Sequence, residues 1–251
     1  MTNSNSIVVI IPARYASTRF PGKPLVLING KTMIQCVYDQ VKSTPEISEV
    51  IVATDDDRIE AEVIRFGGKV VRTKPEHPSG TDRCFEAYQQ LNKKYDFIIN
   101  VQGDEPFIQP QQIRTLAGIL KPDTQLATLI KIIEDEETLF NTNTPKVVIN
   151  TDGEALYFSR QTIPYLRQFS DKNDWLKQHT FYKHIGMYAY RPDVLEKITQ
   201  LAPSSLELSE SLEQLRWLEN GYRIQTAITD IETIGIDTPE DLLKAIQKIN
   251  K

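Results

Sequence analysis

The stretch IPARYASTRFPGKPL (residues 11–25) gathers Arg14, Arg19 and Lys23 around Gly22 and the prolines at 12, 21 and 24, in a chain of formal net charge −5. Proline restricts the backbone, which keeps these cations from folding back onto nearby carboxylates. A stiff cationic turn with a glycine has the logic of a phosphate grip. It matches neither G-x-x-x-x-G-K-[ST] nor G-x-G-x-x-G, the two familiar phosphate fingerprints. Taken alone, the loop reads equally well as an anion site and as a solvated turn.

Two acids supply a complement. NVQGDEP (100–106) delivers Gln102, Gly103, Asp104 and Glu105 from the end of an apolar run, and Pro106 closes it. Asp104 could hold Mg2+, which takes one or two carboxylates beside phosphate oxygens and water. An aspartate in a glycine turn also commonly bonds its own backbone. Asp237, in IGIDTPEDL, stands just ahead of a helix start, where the dipole alone would favour an acid. A basic glycine loop with two strand-end acids is equipment for nucleotidyl transfer, cations holding a triphosphate and carboxylates the metal that offsets its charge. HPSGTDR (77–83) adds the turn Ser79-Gly80-Thr81. Its free N–H groups can meet a base, ribose or phosphate, or simply open a helix.

A different group lies further along: Arg160 in ALYFSR, His184 and Tyr188 in HIGMYAY, and Glu213 and Gln214 in SLEQLR. An acidic sugar needs a guanidinium for its carboxylate and several neutral donors for its hydroxyls. Each of these residues also has an ordinary structural role available: core histidine, strand aromatic, or solvent face of a helix.

The elements that must position these side chains are legible in the hydrophobic pattern. Strands are expected at 7–11, 49–55, 69–73 and 96–102, the first, second and fourth nearly continuous apolar runs, as in strands covered on both faces. Amphipathic segments at 32–43, 57–66 and 81–92 lie between them. Strand and helix alternating in this way imply right-handed crossovers and a parallel sheet, with a ligand crevice beyond the carboxyl ends of the strands. Beyond Pro110, strands are expected at 125–132, 146–150, 155–160, 184–191 and 223–229. Residues 161–180 read as a polar, mobile excursion. Leu208, Leu212, Leu215 and Leu218 mark one helical stripe ending at Asn220-Gly221, and Thr238 and Pro239 open a last helix.

Composition narrows the partners. A chain of 251 residues, 40% hydrophobic and 25% charged, suits one large domain or two small ones. Its acidic balance argues against nucleic acid, its apolar runs are too short for membrane insertion, and MTNSNSIVVIIPAR lacks the basic start of a secretory signal. Cys36 and Cys84 alone make neither a disulfide framework nor a metal site. A cytoplasmic protein is the expectation.

In order along the chain, IPARYASTRFPGKPL, GTDR, NVQGDEP, ALYFSR, KHIGMYAYR, LEQLR and DTPEDL resemble the motifs of 3-deoxy-manno-octulosonate (KDO) cytidylyltransferases, the CMP-KDO synthetases. The resemblance runs from about residue 7 to 247. It implies an α/β, Rossmann-like nucleotidyltransferase fold with a mixed, mostly parallel sheet flanked by helices. It further implies a single domain over 1–251, with 1–110 mainly binding CTP and 111–251 mainly binding sugar and forming a homodimer. The implied reaction joins CTP to KDO, giving CMP-KDO and pyrophosphate for lipopolysaccharide biosynthesis. By this similarity Arg14, Arg19 and Lys23 contact the CTP phosphates, and Ser79, Gly80 and Thr81 read cytosine and ribose. Asp104 and Asp237 ligate Mg2+, and Gln102, Arg160, His184, Tyr188, Glu213 and Gln214 bind KDO; Arg14, Lys23, Asp104 and Asp237 form the catalytic set.

This chain has GTDR where the family often has GTER, and IETIGIDTPEDL where many members are glycine-rich ahead of the aspartate. Relatives with the less glycine-rich segment include some that prefer 8-amino-KDO, so that sugar is the alternative substrate. A glycosyltransferase holding its metal through Asp55-Asp56-Asp57 and a non-catalytic nucleotide sensor are the rival readings; pyrophosphate release separates both from a cytidylyltransferase.

Overall fold

The computed structural model describes residues 5–16, 20–232, 235–236 and 238–249. The chain forms two compact units, Met1–Ala117 with Glu232–Lys251, and Gly118–Ile231.

The first unit opens with β1 (Ile7–Ala13), whose residues 7 to 11 are all buried. The two-residue strands β2 (Leu27–Ile28) and β3 (Lys31–Thr32) form a hairpin that leads into α1 (Met33–Lys42). There follow β4 (Glu49–Thr54), α2 (Asp57–Arg65), β5 (Val70–Arg72), α3 (Gly80–Gln89), β6 (Phe97–Asn100) and α4 (Pro110–Ala117). The sheet order is β6-β1-β4-β5, every pairing parallel. Helical spacing buries Met33, Ile34, Val37, Tyr38 and Val41 of α1, and Ile59 and Val63 of α2. Asp56 caps α2 through the Arg58 N–H, so the acidic run serves as a helix cap. Because the strands are parallel, Ala13, Thr54, Arg72 and Asn100 all end on one edge. The register, with Ala13 opposite Thr54 and Thr54 opposite Arg72, brings the basic loop, Asp55, Thr73 and NVQGDEP to that edge.

The second unit contains β7 (Leu126–Ile132), α5 (Glu136–Phe140), β8 (Lys146–Ile149), β9 (Ala155–Ser159), α6 (Trp175–Gln178), β10 (Tyr182–Tyr190), α7 (Pro192–Ile198), α8 (Ser205–Glu210), α9 (Gln214–Glu219) and β11 (Ile224–Ile228). β7 lies between β11, its parallel partner, and β10, its antiparallel one; β8 joins β10 to β9, both antiparallel. The chain then returns to the first unit as α10 (Pro239–Ile249). Thr238 and Asp241 cap it reciprocally, each accepting the other's backbone N–H. The expected α/β class with a mixed, mostly parallel sheet is the one observed. Among the described residues no helix is long and apolar enough to cross a membrane.

Two expectations change. The stripe from Leu208 to Leu218 is not one helix: Ser211 adopts a left-handed conformation (φ 52°, ψ 48°) and divides it into α8 and α9. Leu212 and Leu215 are buried, whereas Leu208 is 69% exposed. The stretch 161–180 is not a loose excursion. Trp175 is buried against Ile133, Leu139 and Phe181 and donates its Nε1–H to Phe169 O, while Thr162 Oγ1 donates to Leu139 O. One buried tryptophan anchors a stretch whose average polarity concealed it.

Candidate active site

In the first unit the glycine loop is held from both ends. Gly22 has φ +71°, a conformation glycine adopts without strain, and its N–H donates to Tyr15 O at 2.9 Å. A side chain at Gly22 would meet the Tyr15 ring at 3.0 Å. The Arg58 guanidinium lies over the same ring, 3.2 Å from its centroid, and is itself paired with Asp56. The chain is thereby forced to turn, and Lys23 follows with its side chain inward. Lys23 is buried, and its Nζ donates to Asp104 Oδ2 at 2.7 Å. Asp104 arrives through NVQGDEP, where Gly103 passes so close to β1 that an added Cβ would lie 2.8 Å from Pro12 O. Asp104 also binds the returning chain, its backbone carbonyl accepting the Ile236 N–H at 3.0 Å. Basic loop, strand-end acid and the residue before Asp237 thus meet in one place; Asp237 and Arg19 themselves lie outside the described residues. Beside Asp104, burial and the Asp104 charge push the Glu105 carboxyl up to about 8.

Arg14 leaves the end of β1 and donates through Nη2 to His77 O and, at 3.3 Å, to Ser79 O. The Ser79-Gly80-Thr81 turn therefore lies directly beside a cation. Ser79 is the N-cap of α3, and its hydroxyl is committed to Asp82, donating to Oδ2 and accepting the backbone N–H. A Cβ at Gly80 would lie 3.4 Å from Pro12 Cγ, ordinary contact distance, and Thr81 is buried. Gln102 contributes its carbonyl, which accepts the Glu105 N–H.

Arg83 went unread as a site residue. It is fully buried, pairs with Asp55 at 2.8 Å and donates to Thr73 Oγ1 at 2.6 Å, tying together the carboxyl ends of β4 and β5. Its Nε and Nη2 have no hydrogen-bond partner among the described residues. Burial, and then the charge of Arg14, lower its pKa from the usual arginine value. An arginine three places after a helix-opening glycine was the available signal, but its partners are distant in sequence.

The second unit assembles the other group. His184 is half-buried, 3.2 Å from Thr128 Oγ1 through Nε2, with the Phe158 ring edge-on at 5.3 Å. Burial lowers its pKa to about 4, so it is neutral at pH 7. Its ring meets that of Tyr188 at 5.2 Å, and Tyr188 packs edge-on against Trp217 at 5.0 Å. Burial, then the neighbouring Tyr190 and Glu213, push the Tyr188 hydroxyl well above its ordinary value. Gln214 is buried on α9, and its Nε2, like Trp217 Nε1, has no hydrogen-bond partner among the described residues. Leaving such a donor unsatisfied costs about 1–3 kcal/mol, so these groups suit a ligand rich in hydroxyls. Arg160 follows Phe158 by two positions and donates to three backbone carbonyls, those of Thr142, Glu210 and Ser211. The structure thus brings His184, Tyr188 and Trp217 into one aromatic group, and sets Arg160 in a turn of carbonyls. Glu210, whose carboxylate takes the Ser159 hydroxyl and the Arg160 N–H, and Trp217 were not foreseen. Two open cavities of this unit, about 270 and 600 Å3, contain none of the expected sugar residues.

Comparison with known proteins supports the same assignment. The cytidylyltransferase family model matches residues 8–228. The 3-deoxy-manno-octulosonate cytidylyltransferase of Cytophaga hutchinsonii is 82% identical over 97% of this chain and 98% of its own. That of Parabacteroides distasonis is 61% identical over 94% and 95%. Among solved structures, a CMP:2-keto-3-deoxy-manno-octonic acid synthetase complexed with CTP superimposes with a TM-score of 0.90 at 44% identity, covering 98% of both chains. A 4-diphosphocytidyl-2C-methyl-D-erythritol synthase from Anaerococcus prevotii, at 15% identity and TM-score 0.64, shares the fold. With its motifs in order, its basic loop closed on Asp104 and relatives matched over nearly their whole length, the chain belongs to the 3-deoxy-manno-octulosonate cytidylyltransferase family of nucleotidyltransferases.

Proposed function

We propose that this enzyme couples CTP to KDO, releasing pyrophosphate and forming CMP-KDO for lipopolysaccharide assembly, as a cytoplasmic homodimer. The observation that carries the nucleotide half is the Lys23–Asp104 pair at 2.7 Å, with Ile236 bonded to the same aspartate. Arg14, Arg19 and Lys23 are assigned to the triphosphate, and the backbone of Ser79, Gly80 and Thr81 to cytosine and ribose. Gln102, Arg160, His184, Tyr188, Glu213 and Gln214 are assigned to the sugar.

Mg2+ fits this donor set. The Asp104 carboxylate is 36% exposed and already accepts a cationic ammonium, so it can take a hard cation in the same role. Asp104 and Asp237 would hold the ion. Among the described residues no larger cluster of ligating side chains occurs, and an ion sharing phosphate oxygens needs none. When bound, it offsets phosphate charge and eases ionisation of the attacking hydroxyl.

In the reaction the anomeric hydroxyl of KDO attacks the α-phosphorus of CTP, the bond to the β-phosphate breaks, and pyrophosphate leaves. No protein group forms a covalent intermediate. A carboxylate and a phosphate charge at ~4 Å repel by roughly 4 kcal/mol at an effective dielectric near 20, so the basic loop is required simply to seat the nucleotide. Lys23 lowers this repulsion at Asp104, Arg14 offers a guanidinium at the neighbouring turn, and the buried donors of the second unit orient the sugar. Positioning and charge stabilisation then account for catalysis.

The test is pyrophosphate release with CTP, Mg2+ and either KDO or 8-amino-KDO. Release with KDO is expected, falling about 100-fold or more in Asp104→Asn while the melting temperature holds. Release with the 8-amino sugar alone would reassign the substrate, and normal turnover in Asp104→Asn would remove its metal role.

A further inference from the structure

Two described non-glycine residues have positive φ. Asn29 belongs to the Asn29-Gly30 turn of the β2–β3 hairpin, where that geometry is usual. Ser211 ends α8 as its left-handed C-cap, its backbone N–H donating to Glu207 O, a place usually taken by glycine. It stands between two helices that the leucine spacing would have joined, in a conformation that L-residues rarely hold, and a departure of this kind asks what it presents.

It presents carbonyls to Arg160. Arg160 Nε donates to Glu210 O at 2.7 Å, Nη2 to Ser211 O at 3.3 Å and Nη1 to Thr142 O at 3.2 Å. In an unbroken helix the carbonyls of 210 and 211 would point along the axis to N–H groups four residues on; the left-handed residue releases both. The Glu210 side chain closes the arrangement from the strand side. Its Oε1 accepts from Ser159 Oγ at 2.6 Å, and its Oε2 from the Arg160 backbone N–H at 2.9 Å. Thr142 is fixed as well, because the fully buried Lys146 donates from Nζ to Asn141 O at 2.8 Å and Thr144 O at 2.6 Å on either side of it. Of the five guanidinium N–H groups, three are occupied. One remains on each terminal nitrogen, a pair suited to one carboxylate. Lys146, Arg160 and Glu210 lie within electrostatic reach of each other, and their formal charges leave one positive charge for a monoanion to balance.

We propose that Glu210 and the left-handed Ser211 are positioning residues for the acidic sugar, aiming Arg160 so that its two remaining N–H groups meet the sugar carboxylate. The inference rests on Arg160 binding that carboxylate.

Steady-state kinetics on the full chain, varying CTP and sugar acid separately, test it. Ser211→Gly keeps the turn and is expected to leave both KM values unchanged. Ser211→Val, whose β-branched side chain resists this conformation, should raise the sugar KM about tenfold with the CTP KM within about twofold. Glu210→Ala should do the same, and Glu210→Gln, which keeps one acceptor oxygen, should recover part of the loss. In an Arg160→Ala background, Ser211→Val should add less than about twofold, since its effect passes through the missing guanidinium. The proposal is overturned if Ser211→Val and Glu210→Ala spare the sugar KM while Arg160→Ala raises it. It is equally overturned if both KM values rise together, or if the effect persists undiminished without Arg160. Should Arg160→Ala itself spare the sugar KM, the reading of Arg160 fails first and this inference with it. If Ser211→Val does not fold, the two Glu210 variants decide by the same criteria.

Discussion

Lys23 and His184 show how burial chooses between the roles open to a residue type. A lysine after a glycine turn can be a solvated charge; here its stem is buried and its ammonium is held on Asp104. His184 was equally open between ligand and core residue. Its surroundings hold it neutral, with a pKa lowered to about 4. The sign of the pH effect follows directly. Between about 6.5 and 4 the unfolded chain binds a proton that the folded chain refuses, so stability falls as pH falls through that window. The full effect is about 3 kcal/mol, and none of it is lost above pH 7. Urea unfolding between pH 7.5 and 4.5 should therefore show an acid limb that His184→Gln flattens; an unchanged limb would mean another group causes it. Asp104 and Lys23 were legible because their neighbours in sequence, a glycine turn and a strand end, limit what they can do. Arg83, Lys146 and Glu210 were not, because their partners lie on other elements.

Strand-end loops work here only because particular glycines let two of them pass. Gly103 does not need a left-handed backbone; it needs the absence of a side chain, since an added Cβ would come within 2.8 Å of Pro12 O. Gly103→Ala must therefore push NVQGDEP away from the β1 end. The expected result is a stability loss of about 1–3 kcal/mol and a CTP KM that rises while the sugar KM does not. A variant with wild-type CTP kinetics would show that this close approach does not set Asp104. Strands β1, β4, β5 and β6 and helices α1, α2 and α3 could be read to within a few residues because two-residue and 3.6-residue periods are local properties, whereas the β2–β3 hairpin and α4 were not read. The break at Ser211 could not be read, since leucine spacing continues straight through it; the serine caps α8 by donating its N–H to Glu207 O, and its carbonyl takes Arg160 from a distant strand end.

Across the whole molecule, the chain leaves the first unit after Ala117 and re-enters it at Glu232. The return has a purpose visible in its packing: Ile236, Leu242 and Ala245 join Ile28 and Met33 in one apolar cluster, with Phe20 and Val26 against it. Those last two residues bracket Lys23. The final helix thus supports the cationic loop from behind as its preceding segment bonds Asp104. Leu242→Ala should cost about 2–4 kcal/mol and, where the protein remains folded, raise the CTP KM more than that for the sugar. Equal changes in both would place the helix in general stability alone.

The amino-acid order determined the local features by itself: buried parallel strands, proline- and glycine-set turns, a capped last helix, and the residue types gathered at strand ends. These depend on propensity and period within a dozen residues. Only the tertiary structure decided that Lys23 meets Asp104, that Arg83 joins Asp55 to Thr73, and that Arg160 is surrounded by carbonyls from two separate turns. Hydrophobic pattern specifies which face is buried, but which charges then meet depends on register and on where a chain returns after many residues.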